Sequence, residues 1–150
     1  MRVNVVNLKE NLQYLDQYLE LRNAHKDELF TKSVSYEKTK NWIQSNSILV
    51  KIAIKNEILL GVAILYLAKD NEITIFTKEK NKGIGSLLLK ELEKYALENN
   101  LKSIYSWVEK SNEASCALFL KQKFSLLNEG IKKYNDMKYI GNIFQKELSI

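Results

Sequence analysis

The sequence predicts one mixed α/β domain of the α+β kind, and three observations predict it. First, 150 residues with 45% hydrophobic and 27% charged side chains suit a single folded unit whose core forms without disulfides or metals. Second, Ser47 to Lys78, "SILVKIAIKNEILLGVAILYLAKDNEITIFTK", reads as three strands in succession with turns at Lys55-Asn56-Glu57 and Lys69-Asp70-Asn71. An antiparallel meander is the simplest topology for them. Third, a long amphipathic helix follows, with Ile84, Leu87, Leu88, Leu92, Tyr95 and Ala96 on one face and Lys90, Glu91, Glu93, Lys94 and Glu98 elsewhere.

The remaining elements follow from periodicity and capping. "RVNVV" alternates as a first strand, and Leu8, Leu12, Leu15, Leu19 and Leu21 fall near helical spacing behind it. "SVSYEKTKNWIQS" reads as a second helix capped by Ser33 or Ser35. Asn99 and Asn100 stop the long helix. "SIYSWV" is a strand, "NEASCALFLKQK" a short helix, and "FSLLNEGIKKY" with "KYIGNIFQKEL" a closing hairpin. No linker, repeat or low-complexity segment interrupts residues 1–150, which form one domain.

Charge and rare residues exclude several functions. The net charge of +5 is nearly all lysine, with only Arg2 and Arg22 as arginines, whereas base-reading proteins favour arginine forks. The expectation is an anionic ligand and no nucleic acid. No run approaches the roughly 18 apolar residues of a membrane helix, and the first residues lack a signal-peptide core; no membrane partner and a cytoplasmic setting are expected. Cys116 and His25 are the only residues of their kinds, which removes an intrachain disulfide and argues against a zinc site; no metal is expected. A homodimer stays open.

The segment "KEKNKGIGSLLLKELEKYALENN" sets a basic, glycine-containing turn between a strand and the long helix. Gly83 and Gly85 let main-chain amides approach an anion while the helix adds its positive end. A Walker loop requires four residues between its glycines and then Gly-Lys-Ser/Thr, and a dinucleotide fingerprint requires a third glycine where this chain has leucine. Both fail, and the residues alone leave a phosphate cradle and a plain tight turn as alternatives.

"ITIFTKEKNKGIGSLLLKELEKYA" resembles motif A of the GCN5-related N-acetyltransferases, in which Arg or Gln, two residues, Gly, one residue, and Gly or Ala follow a strand. Lys80 stands at the Arg/Gln position, Gly83 and Gly85 at the glycines, and Asn81 where a further glycine is common. "SNEASCALFLKQKF" resembles motif B, with Asn112, Ser115, Leu118, Phe119 and Phe124 at matching positions. The resemblance runs from Ile58 to Phe124. It implies a mostly antiparallel sheet of about six or seven strands flanked by about four helices, with a splayed opening between the motif A strand and the next. It implies acetyl-CoA as co-substrate, held by Ile75, Phe76, Thr77, Lys80, Lys82, Gly83, Ile84, Gly85, Ser86, Asn112 and Phe119. Two departures matter. Lys123 replaces a glycine, which costs little if the turn needs no left-handed residue, and Phe119 stands where a tyrosine often protonates the leaving thiolate.

Acetyl transfer to an amine needs a neutral nitrogen and hence a proton acceptor. The resemblance makes Glu72 the base, the alternative being a surface carboxylate at a hairpin edge beside Asp70. Amides around Ile75 to Thr77 would polarise the thioester carbonyl. With Phe119 unable to donate, Tyr134, Tyr139, Tyr105 or solvent supplies the acid, Tyr134 being first choice. Cys116 suits packing better than nucleophilic attack, His25 suits a solvated loop, and Trp107 suits the core.

The resemblance implies that the N-terminal part sets the acceptor. "LELRNAHKDELFTKSVSYEKTKNWI" resembles the corresponding region of nucleotide amino-sugar N-acetyltransferases of the pseudaminic-acid pathway type, with Arg22-Asn23 and Trp42-Ile43 at matching places. The resemblance implies Arg22, Asn23 and Trp42 as substrate residues, with Arg22 receiving phosphates; read alone, Arg22 ends a helix and Trp42 belongs to the core. The charges Asp27, Glu28 and Glu37 against Lys26, Lys32, Lys38 and Lys40 lean toward an anionic acceptor. Alternatives are a peptide, protein or polyamine N-acetyltransferase, a non-catalytic acyl-CoA-binding module, and a basic nucleic-acid-binding domain.

Overall fold

The structure is a computed structural model that describes residues 2–27, 29, 31–80 and 82–148. Asn81 and Glu28, both named above, lie outside the described residues. In chain order the elements are β1 (Asn4–Asn7), α1 (Leu15–Ala24), α2 (Tyr36–Trp42), β2 (Ile48–Lys55), β3 (Ile58–Tyr66), β4 (Glu72–Thr77), α3 (Ile84–Glu98), β5 (Ser103–Glu109), α4 (Glu113–Lys121), β6 (Ser125–Tyr134) and β7 (Met137–Glu147). The strands form one seven-stranded sheet in the order β1-β2-β3-β4-β5-β7-β6. Every pair is antiparallel except β4 with β5, the two strands joined through α3.

The meander forms as its turn residues dictate. Asn56 and Glu57 close β2 onto β3 with φ of 53° and 63°, and Asn135 and Asp136 close β6 onto β7 with 51° and 62°. Two successive left-handed residues match the twist of the strands they join, and Asn and Asp tolerate that region best after glycine. Asp70 and Asn71 also take left-handed angles before β4, 54° and 66°.

Two elements depart from the sequence reading. The leucine spacing that begins at Leu8 gives two short 3₁₀ turns, Leu8–Glu10 and Leu12–Tyr14, before α1 begins. Asn11 interrupts it, with φ −139° and ψ 57° and a side-chain amide donating to the Asn7 carbonyl at 2.8 Å; such local bonds compete with helix continuation. Lys123 sits at φ +71°, so the turn after α4 does need a left-handed residue. There the Lys123 amide donates to the Leu120 carbonyl and the Phe124 amide to the Phe119 carbonyl, the bonding of a Schellman motif, which usually places glycine at this position. The turn after α3 uses Asn100 at φ 58° in the same way, with Leu101 bonded to Ala96. Ser35, rather than Ser33, caps α2 by accepting from the Lys38 amide.

The sheet is covered on both faces. Leu88, Leu89, Leu92 and Ala96 of α3 pack with Ile73, Ile104, Phe119, Phe124 and Phe144 in one core. Leu15, Tyr18 and Leu21 of α1 pack with Ile52, Val62, Ile64 and Phe76 in the other. Alternation along β4 therefore sends Ile73 to the α3 side and Phe76 to the α1 side.

Candidate active site

The site begins where β4 and β5 part. The two strands share one register position, Glu72 with Tyr105, reinforced by the Tyr105 amide on the Asn71 carbonyl at 3.3 Å. Past it, residues Ile73 to Thr77 and Ser106 to Glu109 line opposite walls of a cleft of about 420 Å³. The first carbonyl left without a strand partner, that of Ile73, takes the Ser106 hydroxyl at 2.8 Å. Ser106 is only 3% exposed, so its hydroxyl replaces a strand amide at the apex of the opening.

The peptide groups facing the cleft follow from alternation. The Lys78 amide donates to the Leu60 carbonyl at 2.8 Å, which directs Lys78 and, two residues back, Phe76 toward β3. Ile73 bonds on the other side, toward β5. The peptide groups of Ile75 and Thr77 therefore face the opening. Of the amides expected to polarise a thioester, Phe76 is a correction: its main chain pairs with β3, opposite Val62.

At the wide end, Gly83 is the N-cap of α3 with φ 77° and no side-chain cap bond. A Cβ built there meets nothing within 4 Å, so glycine serves the backbone angle rather than packing. The amide of Leu87 makes the first helical bond, to the Gly83 carbonyl, which leaves the amides of Ile84, Gly85 and Ser86 ahead of it without helical acceptors. Gly85 is needed for a different reason, since a Cβ on it would lie 3.1 Å from Leu118 of α4; its small size permits close helix packing. Lys80, Lys82, Lys121 and Lys132 line the cleft against Glu79 and Glu109. A left-handed glycine, free first-turn amides and excess lysine fit a diphosphate, and the unpaired edge of β4 fits an extended amide-bearing arm beside it.

All eleven residues expected to hold the cofactor line this one cleft: Ile75, Phe76, Thr77, Lys80, Lys82, Gly83, Ile84, Gly85, Ser86, Asn112 and Phe119. Asn112 also caps α4, its side-chain oxygen accepting from the Ser115 amide. Phe119 is 2% exposed, stacked on Phe144 at 5.8 Å and edge-on to Phe124 at 5.1 Å, a packing role with no proton to give.

A second cavity of about 530 Å³ opens on the α1 side, lined in part by Arg22, Lys38, Trp42, Tyr66, Lys69 and Glu72. Leu29, Thr74, Phe76 and Lys132 line both cavities and form the wall through which an acceptor would meet the cofactor. Glu72 stands in the second cavity with its carboxylate 3.6 Å from the Lys132 ammonium, which itself lies 4.8 Å from the centre of the Trp107 ring. Burial raises the Tyr66 phenol above its ordinary range, as does the Glu72 charge; burial, then Glu72 and Asp70, raises Tyr105.

Arg22 lines this cavity while bracing the loop after α1, donating to the Lys32 carbonyl at 2.6 Å and the Thr31 hydroxyl at 2.7 Å. Asn23 is not among the lining residues; its side chain pairs with the backbone of Val34 in both directions. Tyr134 is a further correction: its hydroxyl donates to the Thr31 carbonyl at 2.9 Å, tying the β6–β7 hairpin to that loop, and it lines neither cavity. Trp107, expected in the core, is half-buried and lines the cleft. Cys116 lies off the cleft, with the Asn142 amide donating to its sulfur at 3.7 Å. His25, expected in solvent, lines the cleft; a lone histidine after a helix carries no spacing signal that could have placed it there.

A strand pair opened along one edge, with a helix N-terminus at its mouth and an acceptor cavity beside it, defines an acyl-CoA-dependent transferase. Residues 15–124 match the family described as acetyltransferase (GNAT) family, and the chain belongs to that family: it is an acetyl-CoA-dependent N-acetyltransferase. Solved structures share the fold. An N-acetyltransferase from Staphylococcus aureus Mu50 is 21% identical with a TM-score of 0.85, over 99% of this chain and 100% of that one. A ribosomal-protein-alanine N-acetyltransferase from Brucella melitensis is 19% identical with a TM-score of 0.84, over 99% and 100%. A spermidine N-acetyltransferase from Vibrio cholerae, in complex with CoA and spermine, is 16% identical with a TM-score of 0.82, over 97% and 95%. No curated protein matches the chain. Among the described residues no helix is long and apolar enough to cross a membrane, and no group of three or more His, Cys, Asp or Glu could hold a metal ion.

Proposed function

We propose that the enzyme acetylates the primary amine of a small anionic acceptor, a nucleotide-linked amino sugar being the first candidate. The observation that carries this reading is the charge of the acceptor cavity, where Arg22, Lys38, Lys69 and Lys132 stand against Glu72, the one carboxylate among the described lining residues. Such a lining attracts phosphate and repels a polycation, in contrast to the substrate named for the Vibrio cholerae enzyme. Trp42, with its ring 6.4 Å from that of Tyr66, supplies an aromatic wall on which a ring can rest.

Acetyl-CoA supplies the activated acyl group. Its diphosphate is assigned to the amides of Ile84, Gly85 and Ser86 with Lys80 and Lys82, and its extended arm to the Ile75 and Thr77 edge of β4. An amide on that edge is positioned to stabilise charge on the acyl oxygen. The acceptor nitrogen enters through the Thr74–Phe76 wall for direct attack, and Glu72 is placed to hold an ammonium there before it loses its proton.

The test is initial-rate acetylation of a nucleoside-diphosphate amino sugar, an alanyl peptide and spermidine with acetyl-CoA. Preference for the nucleotide sugar, with a KM that rises with salt, is expected. Preference for spermidine or the peptide would overturn the acceptor assignment.

A further inference from the structure

His25 holds a position that neither the motifs nor the family assignment accounts for. Its backbone amide is bonded to the Leu21 and Arg22 carbonyls, at 3.2 and 3.1 Å, and its ring Nδ1 lies 3.0 Å from the same Leu21 carbonyl. A carbonyl oxygen only accepts, so Nδ1 carries the hydrogen and the neutral ring presents Nε2 as an acceptor. The ring lies 5.7 Å from that of Phe76, tilted by 35°, and Phe76 belongs to the wall common to both cavities. The last turn of α1 thus fixes both the place and the tautomer of an imidazole lining the cofactor cleft beside that wall.

The first-choice groups of the sequence reading are placed or engaged elsewhere. Glu72 is paired with Lys132 and lines only the acceptor cavity. Phe119 has no acidic hydrogen, and the Tyr134 hydroxyl is bonded to the Thr31 carbonyl outside both linings.

We propose that His25 is the proton-transfer residue of the reaction, acting through Nε2 as base toward the acceptor nitrogen and then as acid toward the departing sulfur. The acceptor enters as an ammonium; Nε2 takes one proton and releases it to water. The neutral nitrogen then forms a C–N bond with the acyl carbon. As the C–S bond breaks with its electron pair on sulfur, the second nitrogen proton passes through Nε2 to the thiolate. The products are the amide, the free thiol and one proton, so no tyrosine at position 119 is required. Among the described residues, the charged and titratable groups lining the acceptor side of this wall are Tyr18, Arg22, Lys38, Tyr66, Lys69, Glu72 and Lys132, and on the cleft side Glu79, Lys80, Lys82, Glu109 and Lys121. The assignment is independent of which amine is the natural acceptor.

Because the chain has one histidine, nitrogen-15 NMR observes this imidazole alone. The expected spectrum shows the Nδ1–H tautomer at neutral pH and imidazole shifts that move on saturation with acetyl-CoA. His25→Asn keeps an N–H for the Leu21 carbonyl but cannot carry a proton. It should lower kcat/KM on the order of 100-fold for the amine the wild type uses best, and change the shape of the pH–rate profile. Acetyl-CoA affinity by calorimetry should stay within about threefold, since general acid–base work is separate from cofactor binding. An Nε2–H tautomer, imidazole shifts indifferent to acetyl-CoA, or a His25→Asn enzyme that keeps the wild-type rate and pH–rate profile would each overturn the proposal.

Discussion

The two cavities on either side of β4 are built in opposite ways. The cofactor cleft rests largely on main chain: a left-handed glycine, helix amides and the open edge of a strand. The acceptor cavity rests on side chains from α1, α2, β3, β4 and β6, segments far apart in sequence. A site made of backbone is specified by a short local pattern and tolerates exchange of surrounding side chains. One made of converging side chains can change its ligand through single substitutions while the first stays intact.

The sharpest way to break the comparison is to put a carboxylate into the cradle. Gly83→Asp should weaken acetyl-CoA binding on the order of 100-fold or more, because an anion then occupies the helix N-terminus. Calorimetry with acetyl-CoA measures the loss, and circular dichroism should show the fold retained.

Lys132→Met touches the shared wall and should raise the acceptor KM roughly tenfold, the scale of one lost charge contact, with a smaller change in the KM for acetyl-CoA. Steady-state kinetics with each substrate varied separates the two effects. Equal effects on both would show that the cavities do not divide the work.

Ser106→Ala removes the hydroxyl from the apex and leaves the Ile73 carbonyl buried without its partner, a destabilisation of about 1–3 kcal/mol that urea unfolding would report. Lys123→Gly, remote from both cavities, should stabilise the fold by about 1 kcal/mol, since a left-handed non-glycine residue carries strain of that order; thermal melting checks it.

The smallest expected effect concerns pH. Tyr66 is raised above its ordinary value of 10.0 by burial and by Glu72, so above about pH 10 the unfolded chain releases its proton before the folded one does. Stability should be level below that value and fall as pH rises toward the folded one. Tyr66→Phe should flatten the alkaline decline in a series of melts.

The difference in construction also explains which features are legible in the sequence. The cleft residues are readable because Gly83, Gly85 and Asn112 occupy fixed places relative to a strand and two helices. The hairpin turns are readable because Asn and Asp dominate left-handed positions. Trp107 and Tyr134 escape a sequence reading for one physical reason. Each is positioned by contacts across tens of residues, such as the Tyr134 hydroxyl on the Thr31 carbonyl, and no local periodicity records such a contact. Lys123 escapes it because a left-handed angle is normally announced by glycine or asparagine, and here the Phe119–Phe124 contact and the bonds beneath it impose the angle on a lysine.

The parting of β4 from β5 also bears on the life of the protein without its cofactor. A split inside the sheet creates two interior edges, and an edge with unpaired peptide groups is a template for any extended chain, including a second copy of this one. Charge, proline or a covering helix blunts such an edge elsewhere, but here the edge must stay open for a ligand. An acetyl-CoA arm lying along this edge would stand in for the missing strand, so loading with the cofactor would also cover the template for strand-to-strand association.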